Sequence, residues 1–201
     1  MAGTAEPLNG GAGTPILPEI LAPGLDVVFI GAAPSPAAAA SGHYYAGRRN
    51  RFWDLLYQSG FTPYRLDASE DQSVLRYGIG LTAVYRDRIS TANSLLPVPA
   101  EDHVHGLMER VIGFAPLIVC YNGKDVCRMC TSETNPSWGV LDDTPGHPIE
   151  FVVPSSSGRA DRWGAERLSL FRELYALIRQ LRASVRTRET SAIAWSVETQ
   201  E

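Results

Sequence analysis

Two short segments of small residues point most directly to chemistry. Residues 31–35 read Gly-Ala-Ala-Pro-Ser, and residues 154–158 read Pro-Ser-Ser-Ser-Gly. Small side chains let a ligand approach the backbone closely, so that N–H groups can donate hydrogen bonds to it. Both segments therefore predict a ligand-binding site, a prediction that many different chemistries would satisfy.

Three groups of arginines could contact an anionic partner. They are Arg48, Arg49 and Arg51; Arg86 and Arg88; and Arg159, Arg162 and Arg167. The formal net charge is −4, which argues against a protein coated with phosphate-binding residues. A local cluster can still bind nucleic acid, because clustering matters more than the total charge. A solvated face is the simpler interpretation of any one cluster, so composition does not decide the function.

The cysteines do not make a complete metal site. Cys127 and Cys130 have the spacing of half a metal or iron–sulfur site, which usually needs four ligands. None of the four histidines has convincing ligand spacing. We expect all three cysteines to be structural, as small buried hydrophobic residues commonly are.

The elements that must position these segments alternate between strand and helix. Short apolar runs predict buried strands at residues 25–30, 116–121 and 149–153. Apolar periodicity predicts helices at residues 51–59, 101–112 and 165–181. The alternation predicts an α/β fold with helices on both sides of a mostly parallel sheet. Ligands of such sheets lie beyond the carboxyl ends of the strands, where both small-residue segments fall.

The two ends of the chain differ in composition from its centre. Residues 1–24 are rich in Gly, Ala and Pro without periodicity, which predicts a flexible N-terminal segment. A polar run from residue 184 predicts a C-terminal tail over residues 184–201, which leaves one domain of residues 25–183. At 201 residues and 44% hydrophobic, the chain can bury a sizeable core. Because no membrane-spanning stretch or secretory signal is visible, we expect a cytoplasmic protein.

A longer pattern is more specific than either small-residue segment. It comprises Gly-His-Tyr-Tyr-Ala at residues 42–46, Asn-Arg-Phe-Trp at 50–53, Ser-Gly at 59–60, Tyr-Gly-Ile-Gly-Leu-Thr at 77–82 and Val-Pro-Ser-Ser-Ser-Gly at 153–158. In order and spacing, residues 25–182 resemble the mismatch-specific uracil/thymine-DNA glycosylases and their hypoxanthine-DNA glycosylase relatives. The resemblance implies the three-layer α/β/α sandwich of the uracil-DNA glycosylase superfamily.

The resemblance also implies roles for residues near the first segment. Such enzymes extrude the target base, because its bond to the sugar is inaccessible inside duplex DNA. Tyr45 matches the aromatic residue that stacks on the flipped base, and ordinary core packing is the alternative. Backbone N–H groups at Tyr45, Ala32, Ala33 and Ser35 would bind the base and stabilise its anion as the bond breaks. Thr82 is a further expected substrate-binding residue.

Two positions depart from the family. Ala33 stands where the mismatch-specific branch usually has the Asn that positions the attacking water. Ser155 stands where some branches have a His that stabilises the leaving base, and a hydroxyl donates less strongly than a charged group. Either activity is lost, or another residue positions the water. Asn50 is the first candidate, with helix capping as an equal alternative; His43 is the second, and Asp161 is a weaker third.

The second segment would contact DNA. Arg159 follows Gly158, where the family places a residue that fills the gap left by the flipped base. A plain phosphate contact by Arg159 is equally compatible with the sequence. Ser157 and Gly158 fit a small-residue turn against a DNA phosphate, and Arg48 and Arg49 are expected to bind DNA as well.

The sequence therefore predicts a monofunctional glycosylase that hydrolyses the bond between uracil and deoxyribose in DNA, releasing free uracil and leaving an abasic site. No metal or other cofactor is expected, since water is the nucleophile and hydrogen bonds stabilise the leaving base. Two alternatives stay open: excision of hypoxanthine or xanthine, and an inactive relative that binds uracil or damaged DNA. We expect a monomer that acts on single- or double-stranded DNA in the bacterial cytoplasm or nucleoid, without a membrane partner.

Overall fold

A five-stranded sheet forms the centre of the molecule in a computed structural model. The structure describes residues 14–198, without the side chains of residues 161, 162 and 186–198. The strands are β1 (Val27–Gly31), β2 (Ile79–Ala83), β3 (Ile118–Asn122), β4 (Gly139–Asp142) and β5 (Ile149–Val153). Their order is β2-β1-β3-β5-β4, and only β4 runs antiparallel to its neighbour. The predicted mostly parallel sheet is confirmed.

Five α-helices accompany the sheet in the described part of the chain. They are α1 (Pro36–Ser41), α2 (Phe52–Ser59), α3 (Glu101–Gly113), α4 (Lys124–Cys130) and α5 (Gly164–Glu198). Short 3₁₀ segments cover Ala68–Tyr77, Asn93–Leu95 and Gly158–Trp163. The helices predicted at residues 51–59 and 101–112 are confirmed as α2 and α3. The third predicted helix is confirmed as α5, which extends well beyond its expected end.

Successive side chains of β3 explain how helices come to lie on both faces. Ile118 and Cys120 pack into a cluster with α2 and α5, whereas Val119 and Tyr121 pack with α3 and α4. Side chains alternate across a strand, so a strand that is apolar at every position must be covered on both sides. All five residues of β3 are buried. The molecule is therefore a three-layer α/β/α sandwich, as expected.

The two strands that the sequence did not predict have weak local signals. β2 contains Gly80, where a Cβ atom would lie 2.7 Å from Leu25 Cδ1 and 3.1 Å from Ile20 O. A glycine weakens the strand pattern, yet here it permits this close approach. β4 is an edge strand with two exposed residues out of four. Tertiary context rather than sequence pattern creates both strands.

The described structure extends past both predicted ends of the domain. Within the predicted N-terminal segment, Leu17 and Ile20 are each 1% exposed, and Ile20 exchanges backbone hydrogen bonds of 2.9 Å with Leu81. Residues 1–13 lie outside the described part. At the other end, the α5 backbone continues past Ser184 to Glu198, and Arg182 donates to Asp26 at the start of the sheet. Within the described residues, no helix combines the length and apolarity needed to cross a membrane.

Candidate active site

A cavity of about 550 Å³ lies at the carboxyl ends of the parallel strands. Its floor is formed at the ends of β1, β2 and β3, and the order of the strands reverses between β1 and β3. Open α/β sheets bind ligands at such a switch point, because the loops that follow these two strands diverge and leave a crevice. The volume is typical of cavities that bind small molecules.

The cavity brings together most of the residues proposed from the sequence. Those lining it are Ala32, Ala33, Ser35, Tyr45, Asn50, Thr82, Ser155, Ser157 and Arg159. His43, Arg48, Arg49 and Gly158 are not part of the lining. The side chain of Asp161 lies outside the described residues.

The turn after β1 presents backbone donors to the cavity. Its carbonyl groups are used elsewhere, since Gly31 O and Ala32 O accept from Val84 and Tyr85 at 2.9 Å. Ser35 Oγ caps α1 by accepting from Ala38 N at 3.2 Å, which fixes the end of the turn. No hydrogen bond within the described part uses the N–H of Ala33 or Ser35. These donors remain for a ligand.

Tyr45 combines a strained backbone with a supported ring. Its φ of +56° is in the left-handed region, which costs a non-glycine residue about 1–3 kcal/mol and is often found at functional sites. The ring stacks on Phe52 with centroids 3.9 Å apart and planes inclined by 24°. Burial raises the pKa of the Tyr45 phenol, and the neighbouring Asn122 side chain only partly offsets this rise. The ring is therefore a neutral, rigid platform at neutral pH.

Asn50 lies one residue before the N-cap of α2, Arg51, and lines the cavity. Its Oδ1 accepts a hydrogen bond of 3.0 Å from Phe52 N, the first N–H of the helix. No hydrogen bond in the described part uses Asn50 Nδ2. Because Oδ1 has a second lone pair and Nδ2 two hydrogens, the bond to Phe52 N leaves Asn50 able to hold a water molecule.

His43 has a structural partner away from the cavity. Its Nδ1 lies 3.3 Å from Asp71 Oδ1, and Asp71 is only 2% exposed. The other oxygen of Asp71 accepts from Tyr44 N at 3.0 Å. Asp71 thus holds the turn that leads into Tyr45, and the structure does not bring His43 to the cavity as a second candidate for water positioning.

Asn122 is a cavity residue that the sequence reasoning missed. It ends β3, is 5% exposed, and binds Ser156 twice: Nδ2 donates to Ser156 Oγ at 3.0 Å, and Oδ1 accepts from Ser156 N at 2.8 Å. Ser156 O in turn accepts from Arg51 N at 2.8 Å. A signal existed, because Asn122 directly follows the predicted strand at residues 116–121. The carboxyl-end rule applies to that strand as well as to its two neighbours.

A buried arginine binds the backbone of the second small-residue segment. Arg167 on α5 is 4% exposed and donates to Ser155 O at 3.0 Å and to Ser157 O at 3.3 Å. Within the segment, Ser155 Oγ accepts from Ser157 N at 3.3 Å. These bonds hold the hydroxyl groups of Ser155 and Ser157 at the cavity wall.

Thr82 contributes to the lining without a free hydroxyl. Its Oγ1 donates to Glu19 Oε1 at 2.9 Å. Glu19 also approaches Arg86 and Arg110, each at 3.5 Å. The Thr82 side chain is therefore tied into an ion-pair network.

Other residues that line the cavity could not be predicted from the sequence. They include residues 90–94 after β2 and Lys124, Asp125, Arg128, Trp138 and Trp163. Ser90 N donates to Pro34 O at 3.0 Å, which brings the loop after β2 against the turn after β1. Such loop contacts depend on tertiary structure, so periodicity in the sequence cannot reveal them.

Exposed arginines border the cavity. Arg48, Arg49 and Arg159 are exposed and have no acidic ion-pair partner among the described residues. Gly158 allows the two loops that carry them to meet, since a Cβ atom there would lie 2.9 Å from Arg49 O. The three exposed arginines form a positive edge on these two loops, suited to a polyanion.

The three cysteines lie away from the cavity lining. Cys120 and Cys127 are fully buried in the core, and burial raises the pKa of all three thiols. Thiols held protonated are poor metal ligands. Among the described residues, no group of three or more His, Cys, Asp and Glu side chains could hold a metal ion.

Comparison with known proteins identifies the family. Residues 18–179 match the Uracil DNA glycosylase superfamily, and the chain belongs to that superfamily. The fold is similar to the solution NMR structure of a protein from Methanosarcina acetivorans described as a "putative Uracil DNA glycosylase". The TM-score is 0.54 at 20% sequence identity, covering 79% of this chain and 96% of that one. The superfamily comprises DNA glycosylases of base-excision repair, and this chain is a DNA glycosylase of that kind.

Proposed function

We propose that the cavity receives a uracil flipped out of DNA and that the protein hydrolyses the bond between uracil and deoxyribose. The observation that carries this proposal is the grouping of the unpartnered N–H groups of Ala33 and Ser35, the Tyr45 ring and the Asn122 amide in one cavity. A glycosylase reads a flipped base by stacking and by hydrogen bonds to its edge. The Tyr45 ring can provide the stacking, and the backbone N–H groups and the Asn122 amide can provide the hydrogen bonds.

The polar groups suit the edge of a pyrimidine. Uracil offers two carbonyl acceptors on either side of one N–H donor. Backbone N–H groups at Ala33 and Ser35 can donate to a carbonyl oxygen. Asn122 can donate through its second Nδ2 hydrogen and accept through the second lone pair of Oδ1, while Ser156 holds the amide in a fixed orientation.

Breaking the bond leaves negative charge on uracil, and the site favours that charge without an ionised side chain. Preorganised N–H donors stabilise developing charge strongly where water is excluded. Ser155 adds a hydroxyl at the cavity wall, although a hydroxyl donates less strongly than a charged group. The neutral Tyr45 phenol introduces no competing negative charge.

Asn50 is proposed to position the attacking water, because Ala33 cannot. A methyl group neither donates nor accepts a hydrogen bond, so the turn itself offers no side chain for a water. Asn50 faces the same cavity and keeps unused hydrogen-bonding capacity on Nδ2 and Oδ1. The water would attack the sugar carbon as an oxocarbenium-like state forms, a step that requires position more than a shifted pKa.

The positive edge is proposed to bind the phosphates on either side of the flipped nucleotide. Arg48, Arg49 and Arg159 are exposed there, and Ser157 adds a hydroxyl at the cavity wall. Phosphate contacts fix the register of a nucleic acid without reading its sequence. The site is contained within one chain, which supports a protein that acts as a monomer.

A panel of modified bases tests the proposal. Purified protein is incubated with oligonucleotides that carry one uracil, hypoxanthine, xanthine or thymine, and abasic sites are then cleaved with alkali. We expect cleavage at uracil. Cleavage at hypoxanthine or xanthine alone would replace uracil by a purine, for which a cavity of about 550 Å³ has room. Tight binding of uracil DNA without cleavage of any substrate would indicate an inactive relative, the outcome that Ala33 would then explain.

A further inference from the structure

Part of the cavity lining takes no role in the proposed base pocket. Trp138 and Trp163 form an edge-to-face pair with ring centroids 5.7 Å apart and planes inclined by 73°. Lys124 Nζ lies 4.5 Å from the centroid of the Trp138 ring. All three line the same cavity as Tyr45 and Asn122. Both indoles are partly exposed in the cavity. Indoles that only fill a hydrophobic core are enclosed by it, so these two call for another explanation.

Neighbouring contacts hold this part of the cavity in place. Arg128 donates to Asp125 Oδ1 at 2.8 Å and to Thr134 O at 3.0 Å, which ties α4 to the chain that leads into Trp138. Asn93 Nδ2 approaches Asp125 Oδ2 at 3.5 Å from the loop after β2. Lys124 and Trp138 therefore lie in a wall that is held by hydrogen bonds.

Indole rings beside a cation match what single-stranded nucleic acid requires. Proteins that bind single strands stack bases on aromatic side chains and contact the phosphates with basic groups. The cavity volume of about 550 Å³ is well above the space that one pyrimidine ring fills. A nucleotide joined to the flipped uridine therefore has room in the same cavity.

We propose that Trp138, Trp163 and Lys124 form a second subsite, which binds the nucleotide next to the flipped uridine. The base of that neighbour packs against the indoles, and Lys124 contacts its phosphate. The proposal rests on the proposed function and extends it to the form of the substrate. A neighbour in duplex DNA is held by pairing and stacking, so the subsite favours single-stranded or locally unpaired DNA.

Removing the neighbouring base tests the proposal with the unmodified protein. Single-stranded oligonucleotides carry one 2′-fluoro-deoxyuridine, which resists excision, and a tetrahydrofuran spacer replaces the base either 5′ or 3′ of it. Affinity is measured by fluorescence anisotropy. We expect one of the two spacers to weaken binding about tenfold and the other to have little effect. Equal affinity for the two spacer oligonucleotides and for the oligonucleotide that keeps every base would overturn the proposal.

Variants of the indole locate the effect. Trp138→Leu should weaken binding of the fully based oligonucleotide about tenfold and show no further loss with the sensitive spacer, because the two changes remove the same contact. Trp138→Phe should keep most of the affinity. Tyr57→Leu is the matched control, since Tyr57 is 48% exposed on α2 and does not line the cavity. Fully additive losses for Trp138→Leu and the spacer would contradict a shared contact.

The design separates this proposal from the proposed function. Binding to the 2′-fluoro oligonucleotide does not require excision, so an inactive protein can still show the spacer effect. Conversely, a protein that excises uracil but ignores both spacers keeps the proposed function and loses the subsite. If circular dichroism shows that Trp138→Leu does not fold, Trp163→Leu takes its place. The spacer comparison with the unmodified protein then decides whether the subsite exists.

Discussion

Replacing Asn50 by Ser separates its two roles in the structure. Asn50 Oδ1 accepts a 3.0 Å bond from Phe52 N, the first N–H of α2, and Asn50 also lines the cavity. A serine hydroxyl can accept the same kind of bond from the N–H two residues further on. The serine side chain is shorter and has no amide. Asn50→Ser should therefore keep a hydrogen bond to Phe52 N and remove the amide proposed to hold water.

The expected magnitudes follow from these contacts. Losing the hydrogen bond to Phe52 N costs about 1 kcal/mol of stability, which corresponds to a fall of roughly 2–4 °C in Tm for a chain of this size. Asn50→Ala should show that fall, whereas Asn50→Ser should melt close to the unmodified protein. One hydrogen bond to the water, worth about 1.4 kcal/mol in the barrier, corresponds to a tenfold loss of rate. Both variants should lose at least about tenfold in excision.

Single-turnover excision with protein in excess is the assay, because it reports the chemical step without product release. Thermal melts followed by far-UV circular dichroism give the stability of each variant. A folded Asn50→Ser protein that excises uracil at the unmodified rate would refute water positioning by Asn50. Asn50 would then serve only to bind Phe52 N at the start of α2.

Three further predictions concern the platform, the turn and the positive edge. Tyr45→Ala should weaken binding of uracil DNA by about 1–3 kcal/mol through loss of stacking, and a crystal structure with uracil bound away from this ring would contradict the pocket. Ala33→Asn should leave single-turnover excision equal or lower, because an added amide crowds the water held by Asn50; a large gain would instead indicate a decayed enzyme. Arg48→Gln and Arg49→Gln, each measured over a range of salt concentrations, should lower the salt dependence of DNA affinity by about one phosphate contact per arginine; an unchanged slope would place DNA elsewhere.

Three of the five strands could be predicted from the sequence, whereas β2 and β4 could not. β1, β3 and β5 consist mostly of apolar residues, because helices cover the sheet on both sides. β2 is buried at all five positions as well, so burial alone does not make a strand predictable. β2 contains Gly80 at a point of close backbone approach, and β4 is a short edge strand. Their pairing depends on neighbours distant in sequence, which a local pattern does not encode.

Residues 14–24 show the same limit in another form. A composition rich in Gly, Ala and Pro predicts flexibility, yet Leu17 and Ile20 supply two buried side chains that anchor the segment beside β2. Two well-placed apolar residues outweigh the composition of their surroundings. Composition averages over a segment, whereas packing depends on single positions.

The candidate site divides along similar lines. The turn after β1 and the segment after β5 were predicted to bind a ligand, since small residues there follow buried strands. Asn122 follows a buried strand as well but looks like an ordinary loop residue, and only its paired bonds to Ser156 identify it. Trp138 and Trp163 reach the cavity from segments distant in sequence, so nothing local predicts their meeting.

The release of free uracil is the most direct measure of the proposed activity. The unmodified protein, in excess over an oligonucleotide with one deoxyuridine, is sampled over time by mass spectrometry for both the free base and the abasic strand. The proposed function predicts that uracil and abasic strand appear in equal amounts, and that both slow at least about tenfold in Asn50→Ser. An oligonucleotide that stays intact while bound to folded protein would contradict catalysis at this cavity.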